Sequence, residues 1–394
     1  MSFRLLSLLA ALTVLAVGCS PGRTPIHPPV SAPAAPGMGP GDPKLAPLTM
    51  PPAKPATPER LNVYARAGAG SLAGEVVEDR PLVYVPHDRS GDVWEIDPAT
   101  YEVVAKYPVG REIQHVVPAY DMRTLYATDD VGNQMLAFDA RTGQPARKIP
   151  IIDPYNLYFT PDGRFAISAA ERQRELIWYD PVSWQLLDKT SIPACAGINH
   201  ADFSVDGRTA VFSCEFAGRV AVVDVTTHRL LRMIDMPVRH THMGPQDVRL
   251  APDGSVYYIA DCDGGGVWIL DGAASQVLRF VPTGRGAHGL YFSRDATRLF
   301  VTNRSEGSIS VLDAYTGAPI SLWRLPGGGS PDMGNLTADG TQLWVSGRYH
   351  NVVYVLSTTD GTLLHTIKVG NEPHGLAVWP QPGRHSLGHT GITR

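Results

Sequence analysis

Between His288 and Leu325 four apolar runs, Gly289–Phe292, Leu299–Thr302, Ile309–Leu312 and Pro319–Leu325, alternate with clusters of Asp, Gly and Ser. Short runs rich in β-branched and aromatic side chains, parted by turn formers, predict strands and not helices. Arg294-Asp295-Ala296 and Tyr315-Thr316-Gly317 supply the tight turns of the first and third hairpins, so the segment reads as a four-stranded antiparallel meander. One such sheet leaves apolar faces that it cannot cover alone, and it must stack on copies of itself.

The copies are found by following the residue that ends each third strand: Asp97, Asp139, Asp180, Asp224, Asp271, Asp313 and Ser357, in steps of 41 to 47 residues. That period suits a four-stranded blade, and seven copies predict an all-β, seven-bladed propeller over residues 81–380. A β-sandwich is excluded because each period holds about four strand-like runs. The first copy lacks a leading strand, whereas His374–Trp379 is a leading strand with no copy of its own. Pairing the two closes the ring and removes two open sheet edges.

The remaining chain divides simply. Residues 1–18 read as a secretion signal, with Arg4 at the charged start and Leu5 to Val17 as an apolar core too short to span a bilayer. Residues 19–58 form a proline-rich tether, 59–80 an accessory segment with short strands expected at 61–64 and 75–77, and 381–394 a tail without pattern. Cys19 directly follows small residues and resembles the lipobox cysteine of bacterial lipoproteins. The resemblance implies acylation of Cys19, anchorage at the outer face of the cell membrane, and an extracytoplasmic body, although Ala16 stands where Leu is usual.

The blade motifs carry a second resemblance. Pro373-His374-Gly375, Leu299-Phe300-Val301-Thr302-Asn303 and Ser310-Val311-Leu312-Asp313 are similar to the repeat of the YVTN-type β-propeller family, which includes surface-layer, DNA-binding and ligand-binding members. The resemblance implies fold and no single chemistry. More broadly, the propellers of d-type-haem nitrite reductases and of nitrous oxide reductase place histidines at one mouth of the central channel.

At that mouth the sequence offers a polar collar. The equivalent position of the seven inner strands holds Gln114, Tyr155, Asn199, Gln246, His288, Asp332 and His374, and the next holds His115, Asn156, His200 and Asp247 in four of them. Loops on the same rim add Glu171, Glu215, Arg304 and Arg348. Chemical variety on one rim of a rigid scaffold is the signature of a binding site. His115, His200, His288 and His374 are metal-ligand candidates, but they split between two registers whose side chains should point to opposite sides of a strand. His240 and His242, in a longer rim loop, are a further pair. The expected ligand is therefore a small molecule, peptide or protein bound by hydrogen bonds at the mouth, with no cofactor; copper, zinc or haem is the alternative.

Cys195 and Cys214 fall at one rim and are a disulfide candidate, with Cys262 left free; Cys214 with Cys262 is the other pairing. A formal net charge of −4 gives no footprint for nucleic acid, which leaves that function the least favoured. Motifs for serine hydrolysis, zinc proteolysis, phosphate binding and covalent haem attachment are missing. The reading is a monomeric binding or scaffold propeller, with a redox or lactonase-like enzyme using the same mouth as the competing class.

Overall fold

A computed structural model describes residues 60–394. The expected signal, Cys19 and the tether lie outside the described residues. Within them the chain forms seven four-stranded antiparallel sheets, each running from an inner strand at the axis to an outer strand at the periphery. The inner strands are Ile113–Pro118, Asn156–Phe159, Ile198–Phe203, Pro245–Leu250, Ala287–Phe292, Pro331–Leu336 and Ala377–Trp379. Ala377–Trp379 belongs to the first blade, where Leu82 faces Trp379 and Tyr84 faces Ala377, so the ring closes as the repeat predicts.

Burial follows the strand order. Inner and middle strands are covered on both faces by neighbouring blades and are buried almost throughout, as in Leu343–Gly347 and Val353–Leu356. Outer strands such as Pro145–Pro150 carry exposed Arg147 and Lys148. Each apolar cluster spans two blades: Tyr291, Phe300 and Val311 of the sixth pack with Leu336, Leu343 and Tyr354 of the seventh. The hydrophobic effect therefore acts between blades, and it is what makes one sheet depend on the next.

Two segments depart from expectation. Residues 61–64 and 75–77 form turns in place of strands, because they dock individual side chains. Val76 enters the apolar cluster of the first two blades, and the Tyr64 hydroxyl donates to the Leu250 carbonyl at 2.9 Å. The tail, which has no sequence pattern, is ordered by packing and by hydrogen bonds to the blades. Leu387 and Ile392 bury in the cluster between the third and fourth blades. Ser386 Oγ donates to Pro118 O at 2.8 Å, the Phe159 amide to Leu387 O at 3.0 Å and Asn335 Nδ2 to Thr390 O at 2.7 Å. These partners lie on inner strands of the second, third and seventh blades, at or beyond mid-strand, so the tail crosses the channel at the end opposite the polar mouth.

One irregularity repeats around the ring. In five blades the ladder between the inner and second strands skips two residues, at 114–115, 199–200, 246–247, 288–289 and 332–333. A hydroxyl on the second strand satisfies the freed amide in four of them: Thr128 for His115, Ser213 for His200, Thr302 for Gly289 and Ser346 for Met333, at 2.7–3.2 Å. A bulge of this kind re-aims side chains that regular pleating would send to opposite faces.

Candidate functional site at the channel axis

The bulges gather the two collar registers into one cluster. The ring of His115 lies 5.5 Å from His200, 4.8 Å from His374 and 5.4 Å from His389; His288 lies 5.9 Å from both His200 and His374. All five imidazoles are buried. Four come from the blades. His389 comes from the tail, inserted from the opposite end, and sequence pattern gave no warning of it.

Each ring is held through Nδ1. The Tyr155 carbonyl oxygen stands 2.9 Å from His115 Nδ1, and Gln114 Oε1 stands 2.9 Å from His374 Nδ1. Both partners are acceptors, so Nδ1 carries the proton and Nε2 keeps its lone pair. His200 and His389 share the Asn156 amide, at 3.2 and 2.9 Å. His288 Nδ1 lies 3.1 Å from Asp332 Oδ1 and 2.9 Å from Met333 Sδ. The Nε2 atoms of His115, His200, His374 and His389 are buried and make no hydrogen bond among the described residues. The lone pair stands on Nε2 in His115 and His374; the Asn156 NH2 donates to Nδ1 of His200 and His389, so their Nε2 atoms carry the proton. The nearest carboxylates stand just beyond hydrogen-bond reach, Asp247 Oδ1 at 3.6 Å from His389 Nε2 and Asp332 Oδ2 at 3.7 Å from His374 Nε2. Buried polar atoms are ordinarily satisfied, and these four Nε2 atoms are not.

Burial also fixes the charge state. It pushes His115 down to about 3, with His389 beside it adding to the effect. His200, His288, His374 and His389 are likewise held well below the usual range, mainly by burial. The cluster is a set of neutral imidazoles.

Beside it lies a charged tier. Arg304 Nη1 is 3.1 Å from Asp332 Oδ1, Arg348 Nη1 is 3.6 Å from Asp332 Oδ2, and Arg348 Nη2 is 2.6 Å from Asp88 Oδ2. Arg304 Nη2 also lies 3.5 Å from the buried thiol of Cys262. Asn199 donates to Glu215 at 2.9 Å. Glu171 is held well above the usual carboxyl range, by burial first and then by Glu215 and Asp153. Asp130 is raised by burial and by its hydrogen bond with Asp153, while Arg172 bridges both carboxylates.

The other candidates have local partners. Asp247 staples adjacent blades, accepting from the Leu290 amide at 2.9 Å, and Gln246 Nε2 turns to the Gly244 carbonyl. His240 is tied at 3.1 Å to Asp261, which also accepts from Trp268; this holds it at the blade rim, outside the imidazole cluster. His242 is exposed on the same loop. Cys195 and Cys214 form a disulfide with Cα atoms 4.8 Å apart, next to Asn199 and Glu215 in the chain.

Residues 239–383 match the family model of the YNCE-like β-propellers. The matched region takes in the fifth, sixth and seventh blades and the segment carrying His374, and with them Arg304, Asp332 and Arg348 of the charged tier. No curated protein matches the sequence. Among solved structures the fold is similar to hydrazine synthase of Kuenenia stuttgartiensis, at 17% identity and a TM-score of 0.59, over 69% of this chain and 91% of that one. It is similar to a functionally unknown protein of Desulfotomaculum acetoxidans, at 15% identity and 0.62, over 75% and 98%. It is also similar to the dihydro-haem d1 dehydrogenase NirN, at 13% and 0.58, over 83% and 82%. At such identities the likeness is one of fold.

The donor set discriminates between possible occupants. Imidazole nitrogens with fixed Nδ1 partners suit a small transition ion. Rings whose centres stand 4.8–5.9 Å apart leave no slot among them for a planar macrocycle, so a haem does not fit within the cluster.

Proposed function

We propose that the protein is an extracytoplasmic, membrane-tethered binding propeller whose ligand sits on the channel axis, against the imidazole cluster and below the Arg304 and Arg348 tier. One observation carries this reading: the buried Nε2 atoms of His115, His200, His374 and His389 make no hydrogen bond, the nearest carboxylate oxygens standing at 3.6 Å from His389 and 3.7 Å from His374. Leaving several buried polar atoms unpaired costs about 1–3 kcal/mol each, and a bound ligand offsets that cost. The compartment is supported by the sequence before Cys19 and by the Cys195–Cys214 disulfide, which persists in oxidising surroundings.

The test is a thermal-shift panel of metal ions, small carboxylates, phosphates, sugar acids and short peptides. At least one class raises the melting temperature of the wild type and leaves the His288→Ala/His374→Ala variant unmoved, while that variant still unfolds cooperatively. A panel without effect overturns the reading. So does a variant that loses stability on the scale of a core deletion, since the rings would then be packing.

A second reading has its own observation. Glu215 lies close enough to Glu171 on the rim to add to the burial that strengthens the hold of Glu171 on its proton, the arrangement that supplies a general acid at neutral pH. Turnover of a mouth-bound substrate that disappears in Glu171→Gln, with binding retained, would make the protein an enzyme.

A further inference from the structure

We propose that the axial ligand is a first-row transition metal ion, copper or zinc, bound by Nε2 of His115, His200 and His389. The proposal rests on the axial-ligand reading above and names the occupant. One ring nitrogen from each of these three buried residues lies within 4.8 Å of one from each of the others. Three nitrogens around one ion at roughly 2.1 Å stand roughly 3.4 Å apart, so a contraction on the order of 1 Å completes the site. Rotation of the rings about their Cβ–Cγ bonds supplies a shift of that size.

The surroundings meet the further demands of such a site. A ligating imidazole needs its second nitrogen fixed by an acceptor, and the Tyr155 carbonyl does this for His115. His200 and His389 share the Asn156 side chain, whose Nδ2 faces both rings. Ligation through Nε2 requires Nδ1–H on these two, and therefore the Asn156 carbonyl oxygen toward them, a half-turn of the amide that gives up the bond Asn156 Oδ1 accepts from the Leu157 amide at 2.9 Å and that metal binding must offset. His374 Nε2, without a hydrogen bond, 3.7 Å from Asp332 Oδ2 and on a ring 4.8 Å from that of His115, is available as a fourth donor.

The neighbouring trio His288, Asp332 and His374 also groups ligand atoms within 4.8 Å. It is the poorer cation site, because Arg304 and Arg348 already neutralise Asp332 and place two positive charges beside it. The same contrast assigns separate roles: the three imidazoles hold the ion, and the arginine tier faces whatever meets it from the mouth.

His389 makes the proposal specific to this chain, because a ligand carried by the tail ties the metal to the plug that closes the channel. Metal-stripped full-length protein is titrated with Cu(II) and, separately, Zn(II) by calorimetry. The copper form is read by electron paramagnetic resonance. The expected result is one equivalent per chain, nitrogen superhyperfine structure, and binding weaker by at least about 100-fold in His200→Ala and His389→Ala. His242→Ala, at the exposed rim, binds as the wild type does. Should His389→Ala fail to fold, His389→Gln carries the comparison.

The proposal is overturned if folded, stripped wild type takes up no ion at one equivalent, or if His389 variants bind as tightly as the wild type. The axial-ligand reading fails separately: a wild type that rejects metal but binds an organic ligand through His374 removes the metal alone, and loss of both removes both.

Discussion

Gln114 Oε1 and His374 Nδ1 meet at 2.9 Å, joining the inner strand of the second blade to the segment that closes the first. The contact sets the tautomer of His374 and aims its Nε2 at the axis. Gln114→Leu keeps the volume and removes the acceptor. Axial binding is expected to weaken about 10- to 100-fold with little change in melting temperature, measured by calorimetry on the ligand found in the thermal-shift panel. An unchanged affinity would show that His374 is aimed by packing alone.

Gly375 lies against the face of His115. A Cβ there would stand inside the van der Waals envelope of the His115 ring. Gly375→Ala is expected to displace His115 and lower axial affinity at least about tenfold without touching a donor atom. Binding equal to the wild type would mean that His115 is not a ligand-contacting residue.

Glu95 offers a pH signature of the fold that is independent of the site. It is fully buried, and burial pushes its carboxyl from an ordinary 4.5 up to about 7. A raised acid binds its proton more tightly when folded. Its contribution is therefore complete below about 4.5 and is lost as pH rises through about 7. The swing is on the order of 3 kcal/mol. Glu95→Gln should stabilise the protein at pH 8 and change little at pH 4, as read from urea midpoints at both. Equal effects at the two values would mean that Glu95 stays ionised in the fold.

The Cys195–Cys214 bridge closes a short loop, with a sequence separation of 19. Cys195→Ser/Cys214→Ser is expected to cost roughly 3 kcal/mol, chiefly by freeing the unfolded chain. Because the loop holds Asn199 nearby, ligand affinity should fall as well. Denaturant unfolding with and without reductant checks both, and a variant as stable as the oxidised wild type would contradict the first.

Much of the ring was legible. Blade number and closure follow from turns and apolar runs at a fixed period, and Trp379 opposite Leu82 is the pairing that the incomplete first copy demands. The collar positions were legible too, since Gln114, His288, Asp332 and His374 fall at equivalent places in the repeat. Their convergence was not, because it depends on bulges that apolar alternation does not encode. A signal for them exists in Thr128, Ser213, Thr302 and Ser346, hydroxyls recurring near the end of second strands, where they read as ordinary strand residues. His389 was illegible for a different reason. Nothing near it in sequence has a period, and its place is set by Leu157, Pro118 and Asn335, which are more than 50 residues away in the chain.

The seam where Ala377–Trp379 zips onto Leu82–Pro86 lies only a few residues from His374. Prising the ring open at that seam would also dismantle the binding site, so occupancy and circular integrity are thermodynamically linked. A bound guest then acts as a rivet, and every tenfold excess over its dissociation constant tightens the whole circle by about 1.4 kcal/mol.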